Sequence, residues 1–94
     1  MSSQMSPEAL RLRLKELLIE VCDLEDLSPQ DIDDHERLIR SERPELDLTS
    51  LDAVEIASAI EYEFGVRIED LSAAKSAFRS VDTLAAHISA EKGW

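Results

Sequence analysis

The chain has 94 residues, the size of one small domain, and its 21 acidic and 10 basic side chains give a formal charge of −11. Because phosphate groups are bound by an excess of Lys and Arg, this charge argues against a nucleic acid or an anionic membrane as the main partner and favours proteins with basic surfaces. Hydrophobic residues make up 44% of the sequence, which predicts a folded domain, and no apolar run is long enough to span a membrane. We therefore expect one domain over residues 1–94, a cytoplasmic monomer with flexible ends at 1–6 and 91–94.

The first predicted helix covers residues 7–23. Ser6 can cap it, Pro7 suits its first position and Glu8 suits the positive end of the helix dipole. Apolar side chains then recur at helical spacing: Leu10, Leu14, Leu17, Leu18 and Val21. Cys22 is the only cysteine, so no intrachain disulfide can form. No basic cluster beside it would activate the thiol, and we interpret Cys22 as a small core residue.

Residues 24–49 form a long connection with one predicted turn, at 28–31. Its apolar residues are spaced as anchors to the core: Leu27, Ile32, Leu38 and Ile39. The acidic run at 31–36 lacks the mid-loop glycine of a calcium site, so we expect a solvated acidic loop and no metal. His35 has no neighbours that would make it a metal ligand or a base, and we place it on the surface.

The second predicted helix begins near Thr49 and Ser50 and ends at Phe64, before Gly65. Thr49 and Asp52 have the spacing of a capping box, with Asp in place of the usual Glu. One face of the helix is apolar and consists of Ala53, Ile56, Ala57, Ile60 and Phe64. We therefore expect Thr49 to be the cap and Ser50 to lie just inside the helix.

A short extended segment at 66–68 and a weak helical segment at 72–77 precede the last predicted helix, which Ser80 caps. The apolar face of this helix consists of Val81, Leu84, Ala85 and Ile88. His87 lies beside that face, where we expect a partly buried structural histidine. The predicted fold class is all-α, a four-helix bundle with three longer helices, one short helix and a long first loop.

Most of the excess negative charge lies in and around the second helix. Between Glu45 and Asp70 there are eight acidic residues and one basic residue, Arg67. Such a charge run is usually a solvated helix face. Leu51 and Val54, however, are apolar and lie away from the core face, and apolar residues beside acidic ones also suit the docking of a basic partner.

A resemblance to the acyl carrier protein family starts at residues 47–56, which read Asp-Leu-Thr-Ser-Leu-Asp-Ala-Val-Glu-Ile. The family's modification site has Asp-Ser-Leu at the start of the second helix, followed by Asp-x-Val-Glu-Leu or a similar sequence. The likeness continues at 28–32, 38–39, 61–68 and 78–84, so that it covers nearly the whole chain from Ala9 to Ser89. The chain as a whole therefore resembles a single carrier domain.

This resemblance implies that Ser50 carries 4′-phosphopantetheine through a phosphodiester, with an acyl or aminoacyl cargo held on the arm as a thioester. The head of a helix favours a phosphate through its free N–H groups and positive dipole. The implied partners are a phosphopantetheinyl transferase, an acyl- or aminoacyl-loading ligase, and downstream transferases with basic docking surfaces. Docking is expected on Leu51, Asp52, Val54, Glu55 and Glu61. Such a carrier is not an enzyme, and the sequence contains no set of residues that suggests catalysis.

Three positions depart from the family's pattern. Thr49 replaces the usual Asp before the serine, Asp47 replaces a common glycine, and Ser58 replaces an exposed apolar residue of the second helix. The last change favours a specialised carrier over one for ordinary fatty acid synthesis. Thr49 keeps an alternative open, in which the chain is an unmodified interaction module that has the carrier fold.

Overall fold

The computed structural model describes residues 5–39, 48–68 and 76–94. These ranges contain three α-helices, α1 (Pro7–Cys22), α2 (Ser50–Phe64) and α3 (Val81–Lys92), a 3-10 turn at Pro29–Asp31, and no strand. The prediction of an all-helical fold is confirmed. The predicted short helix at 72–77 lies mostly outside the described residues, although Ser76 and Ala77 are helical, so the count of four helices stays a prediction.

Each helix begins at the residue that local sequence signals predict. The Ser6 hydroxyl oxygen accepts a hydrogen bond from the Ala9 N–H at 3.1 Å, and the Ser80 hydroxyl oxygen accepts one from the Thr83 N–H at 3.2 Å. The first helix ends one residue earlier than predicted, because Asp23 takes a left-handed conformation with φ of 55°.

The core lies between the three helices, with α1 packed against both α2 and α3. The helices bury one side each: Leu10, Leu14, Leu17 and Leu18 of α1, Ile56, Ile60 and Phe64 of α2, and Val81, Leu84, Ala85 and Ile88 of α3. The connections add Ile32, Leu38, Leu48, Val66, Ala77 and Phe78. Phe78 is the only fully buried aromatic residue among those described, and no helical periodicity identified it as core.

The described part of the long first connection, residues 24–39, is packed onto the helices, as its apolar anchors predicted. The Leu38 N–H donates to the Arg79 carbonyl oxygen at 3.0 Å, and the Asp82 N–H donates to the Asp34 carbonyl oxygen at 2.8 Å. Ile32 and Leu38 are buried, whereas Leu27 and Ile39 are partly buried.

Asp34 corrects the interpretation of the acidic run as a solvated loop. Its carboxylate lies 2.7 Å from the Lys15 ammonium and 3.2 Å from the Arg11 Nε, so the connection is tied to α1. The hydrogen bond from Lys15 holds the pKa of Asp34 below its usual value, and the charge of Arg11 acts in the same direction. Spacing along the sequence gave no sign of this pairing, because the two cations lie in a helix 19 and 23 positions earlier. His35 is exposed, as predicted.

The C-terminal end, which we expected to be flexible, makes contacts in the structure. α3 continues to Lys92, and the Trp94 N–H donates to the Ser89 carbonyl oxygen at 2.9 Å. The Trp94 ring packs edge-on against Phe64, with 6.3 Å between ring centroids. This contact connects the ends of α2 and α3.

Candidate functional site

The N-terminus of α2 is held by a reciprocal cap. The Thr49 hydroxyl oxygen accepts from the Asp52 N–H at 3.1 Å, and the Asp52 carboxylate accepts from the Thr49 N–H at 3.0 Å. This is the capping box that the sequence predicted, in which Asp52 accepts the hydrogen bond that a Glu usually accepts. Because Thr49 supplies the cap, the hydroxyl of Ser50 is not needed for it.

Ser50 is the first residue of α2 and is exposed to solvent. Its side chain makes no hydrogen bond to any other described residue, and the same ranges offer no acceptor for the N–H groups of Ser50 and Leu51. The end of the helix therefore presents an accessible hydroxyl beside N–H donors, at the positive end of the dipole. A phosphodiester on Ser50 fits this arrangement, because helix N-termini favour anions.

Leu48 fixes the segment just before this site. It is buried, and its N–H donates to the Leu38 carbonyl oxygen at 2.7 Å. Two residues later the chain is at the surface, so Ser50 is connected to the core by a very short stretch of backbone. The position of the hydroxyl therefore follows from the core packing of Leu48 and Ile56 on either side.

The predicted docking residues Leu51 and Val54 are both on the surface. Leu51 is 67% exposed and Val54 is 62% exposed, within about a turn of Ser50. Burial of Ile56, Ile60 and Phe64 fixes the rotation of α2 and leaves these two apolar side chains in solvent. Exposed apolar side chains grouped beside a candidate site are typical of an interaction surface.

The three acids predicted for docking are not equivalent in the structure. Asp52 is half-buried and bonded within the cap. Glu61 accepts from Arg67 at 3.1 Å, a pair that forms because the chain turns back at Gly65. Glu55 is exposed and makes no ion pair with any described residue. The negative field near Ser50 therefore depends on Glu55 more than the sequence suggested.

Cys22, at the end of α1, interacts electrostatically with the first turns of α2. Burial, together with the negative charges of Asp52 and Glu55, raises the pKa of the thiol to about 11. The thiol is protonated at neutral pH, which disfavours nucleophilic chemistry. Cys22, predicted as a small core residue, is only partly buried and packs against the core from its edge.

The ranges that the structure describes offer neither a three-ligand metal site nor a membrane-spanning helix. They contain no group of three or more His, Cys, Asp and Glu residues that could hold a metal ion, and no helix in them is long and apolar enough to cross a membrane. His87 is partly buried, as predicted, and the Nε2 of its ring has no hydrogen-bond partner there.

Comparison with known proteins identifies one family. The family model described as a phosphopantetheine attachment site matches residues 13–88, a range that includes Ser50 and extends from α1 into α3. Domains of this family are attachment sites for covalent 4′-phosphopantetheine and are not themselves catalytic. They interact with modifying transferases and biosynthetic enzymes. No curated protein and no solved structure matches the chain significantly.

Proposed function

Because the chain belongs to the phosphopantetheine attachment family, we propose that it is an acyl or aminoacyl carrier protein that is modified on the Ser50 hydroxyl. One observation supports Ser50 as the modified residue. Ser50 is an exposed serine at the first position of a helix that its neighbour Thr49 already caps, and it lies inside the matched range. When bound, the cofactor supplies a flexible arm whose thiol holds the cargo as a thioester.

The residues around Ser50 have distinct roles in this proposal. The Ser50 Oγ is the acceptor for the phosphoryl group, and the N–H groups of Ser50 and Leu51 stabilise the phosphodiester charge. Thr49 and Asp52 hold the helix end in place through their reciprocal bonds. No side chain here has to act as a nucleophile toward cargo, since partner enzymes perform the chemistry.

Partner enzymes dock, in this proposal, on the exposed surface next to Ser50. Leu51 and Val54 supply apolar contact, and Glu55 supplies the charge that steers a basic partner. Glu61 contributes less than its formal charge suggests, because it is paired with Arg67. Asp52 keeps its charge, but its carboxylate is bonded in the cap. The partners are a phosphopantetheinyl transferase, a loading ligase for acyl or aminoacyl groups, and downstream transferases.

Intact-protein mass spectrometry tests the modification. The chain is incubated with coenzyme A and a transferase of broad specificity, and we expect a gain of one phosphopantetheine. Ser50→Ala should gain nothing, whereas Ser58→Ala, which removes another exposed serine of α2, should be modified normally. Modification that persists in Ser50→Ala would place the arm elsewhere. If no transferase modifies the wild-type chain, the unmodified interaction module is the correct function.

Docking is tested by the salt dependence of the transferase reaction. Glu55→Lys should slow association at low salt, and the difference from wild type should shrink as the Debye length falls from about 10 Å at 0.1 M to about 3 Å at 1 M. Val54→Ser should instead raise the dissociation rate with little dependence on salt. If the reaction rate is insensitive to both Glu55→Lys and ionic strength, the charges of this surface are solvated and take no part in docking.

A further inference from the structure

Tyr62 is the most exposed large hydrophobic residue among those described, at 83%. It lies eleven positions after Leu51 on α2, which is three helical turns, so the two side chains share one side of the helix. The rise per residue places Tyr62 about 16 Å farther along the axis. An aromatic ring exposed on the same side as the proposed docking residues is an unexplained feature of the surface.

Tyr62 also forms one wall of an open groove between α1 and α2. The groove has a volume of about 350 Å³ and is lined by Leu17, Ala59, Tyr62 and Glu63. Three of these four residues are apolar or aromatic, so the floor and sides suit an apolar side chain or the aliphatic stem of a long one. We call this feature the Tyr62 groove.

The rim of the Tyr62 groove includes Glu63, which belongs to a charge cluster that is net negative. The Arg13 guanidinium donates to both carboxylate oxygens of Glu63, at 2.6 and 2.7 Å, and lies 3.4 Å from Glu16 and 3.6 Å from Glu20. One cation therefore faces three carboxylates, so the cluster to which Glu63 belongs has a net charge of −2. The bidentate bond also holds the Glu63 wall in position against α1.

We propose that the Tyr62 groove is a second contact surface for the enzyme that acts on the arm at Ser50, and that it receives an apolar segment of that enzyme carrying an Arg or Lys. The proposal rests on the carrier function. The net-negative cluster that includes Glu63 attracts the cation, the ring of Tyr62 offers it a π face, and Leu17 with Ala59 receives apolar atoms. A typical interface covers about 800 Å² per partner, so one enzyme can span the 16 Å or so between Leu51 and Tyr62.

A second copy of the chain is a poorer occupant. Each copy has a formal charge of −11, and the net-negative cluster at the rim of the groove repels a surface of the same sign. A basic enzyme meets no such repulsion. It would contact α2 at both ends and α1 through Leu17, so that α1 also takes part in recognition.

Site-specific photo-crosslinking tests which protein occupies the groove. The photoreactive residue p-benzoylphenylalanine replaces Tyr62, Val54 or Leu12 in the modified full chain, produced in the cells in which it occurs naturally. Leu12 is the control, since it is 48% exposed on a different side of α1 from Leu17. We expect positions 62 and 54 to capture the same enzyme, with an Arg- or Lys-containing peptide joined to position 62, and position 12 not to capture it.

The outcomes separate this inference from the carrier function. If position 62 yields no product, a different protein from position 54, or only a second copy of the chain, the inference is wrong, whatever position 54 captures. The carrier function fails separately, when the mass of the wild-type chain shows no phosphopantetheine.

Kinetics with the captured enzyme provides a second measurement. Tyr62→Ser should raise KM roughly two- to fivefold at unchanged kcat, which is the scale of an exposed cation–π contact. Tyr62→Phe keeps the aromatic ring, so its KM should stay close to that of wild type. Leu12→Ser should have no effect. The melting temperature should be unchanged in both Tyr62 variants, because that side chain is largely exposed. A KM that is unchanged in Tyr62→Ser would overturn the inference.

Discussion

The two ends of α2 differ in the contacts that connect them to the rest of the molecule. At the C-terminal end, Glu63 is bonded to Arg13 of α1, Phe64 is buried and contacts Trp94, and Gly65 turns the chain. At the N-terminal end, the hydrogen bonds within the described residues, apart from those along the helix itself, are the reciprocal cap of Thr49 and Asp52 and the backbone attachment of Leu48.

This difference shows how a small helical domain can present a reactive site without weakening its core. The side chains that stabilise α2 lie on its buried side and near its C-terminus, so the first turn is free to display Ser50, Leu51 and Val54. Modification of Ser50 and docking on its neighbours need not disturb the packing of α1 against α2. The predictions below test this separation.

The largest expected effect is on stability at the C-terminal end. Phe64→Ala removes a buried ring in contact with Trp94, and we expect it to lower the free energy of unfolding by about 3–5 kcal/mol. Val54→Ala at the other end should change it by less than about 0.5 kcal/mol, since Val54 is exposed. Urea unfolding followed by far-ultraviolet circular dichroism measures both. If Phe64→Ala does not fold, Phe64→Leu provides the comparison, and equal losses at the two ends would contradict the account.

The Arg13–Glu63 pair should have a smaller effect. A double-mutant cycle with Arg13→Gln and Glu63→Gln should give a coupling energy of up to about 1 kcal/mol, since both side chains are partly exposed and the bond is bidentate. Arg37→Gln, at an exposed cation with no ion pair to any described residue, is the control and should cost little. Modification of Ser50 should be unchanged in all of these variants. A cycle with no coupling would mean that the pair does not hold the two helices together.

The pH dependence of stability should come partly from Glu63 and Asp34. The hydrogen bond from Arg13 lowers the pKa of Glu63 in the folded state, and the hydrogen bond from Lys15 does the same for Asp34. The folded chain therefore binds fewer protons than the unfolded chain, so this stabilisation is present at neutral pH. It is lost as the pH falls from the unfolded values, near 4.5 and 3.8, through the lower folded ones.

Urea unfolding between pH 7 and pH 3 measures this loss. Glu63→Gln and Asp34→Asn should each flatten the fall in stability below about pH 5, because the folded and unfolded chains then differ by one titrating group fewer. A fall of the same steepness in both variants and in wild type would show that other carboxylates are responsible.

The smallest stability change is expected at the cap itself. Thr49→Asp adds a negative charge at the positive end of the dipole, which is worth roughly 0.3–1 kcal/mol. We expect a gain at the lower end of that range, because the Asp52 carboxylate already accepts a hydrogen bond from the backbone N–H of residue 49. Modification by a broad transferase should be as fast as in wild type or faster, and Thr49→Ser is the matched control. Slower modification of Thr49→Asp would show that a dedicated partner reads Thr49.

The sequence predicted features that depend on neighbouring residues. The caps at Ser6, Thr49 and Ser80, the end of α2 at Gly65 and the buried sides of the helices follow from local spacing. The resemblance to carrier proteins added the identity of the cofactor, which the family match supports. Ser50 and the docking residues stay predictions, although Ser50, Leu51 and Val54 are exposed at the start of α2.

The features that were missed depend on residues far apart in the sequence. Arg13 and Glu63 are fifty positions apart, and Asp34 meets Lys15 only when the first connection folds back onto α1. The contact of Trp94 with Phe64 requires α2 and α3 to end side by side. Periodicity and capping rules do not contain this information, so neither the paired acids nor the Tyr62 groove could be predicted from them.

Amide nuclear magnetic resonance spectra of the chain, recorded before and after modification, test the central claim most directly. The account predicts that the largest shifts occur at the N–H groups of Ser50 and Leu51, with a phosphodiester signal in the phosphorus spectrum. The Arg13 side chain, Glu63, Phe64 and the Trp94 indole should shift little, because they hold the other end of α2. Large shifts at those residues, or none at Ser50 and Leu51 in a fully modified chain, would contradict the claim that the arm is attached at the accessible end of α2 and leaves the core undisturbed.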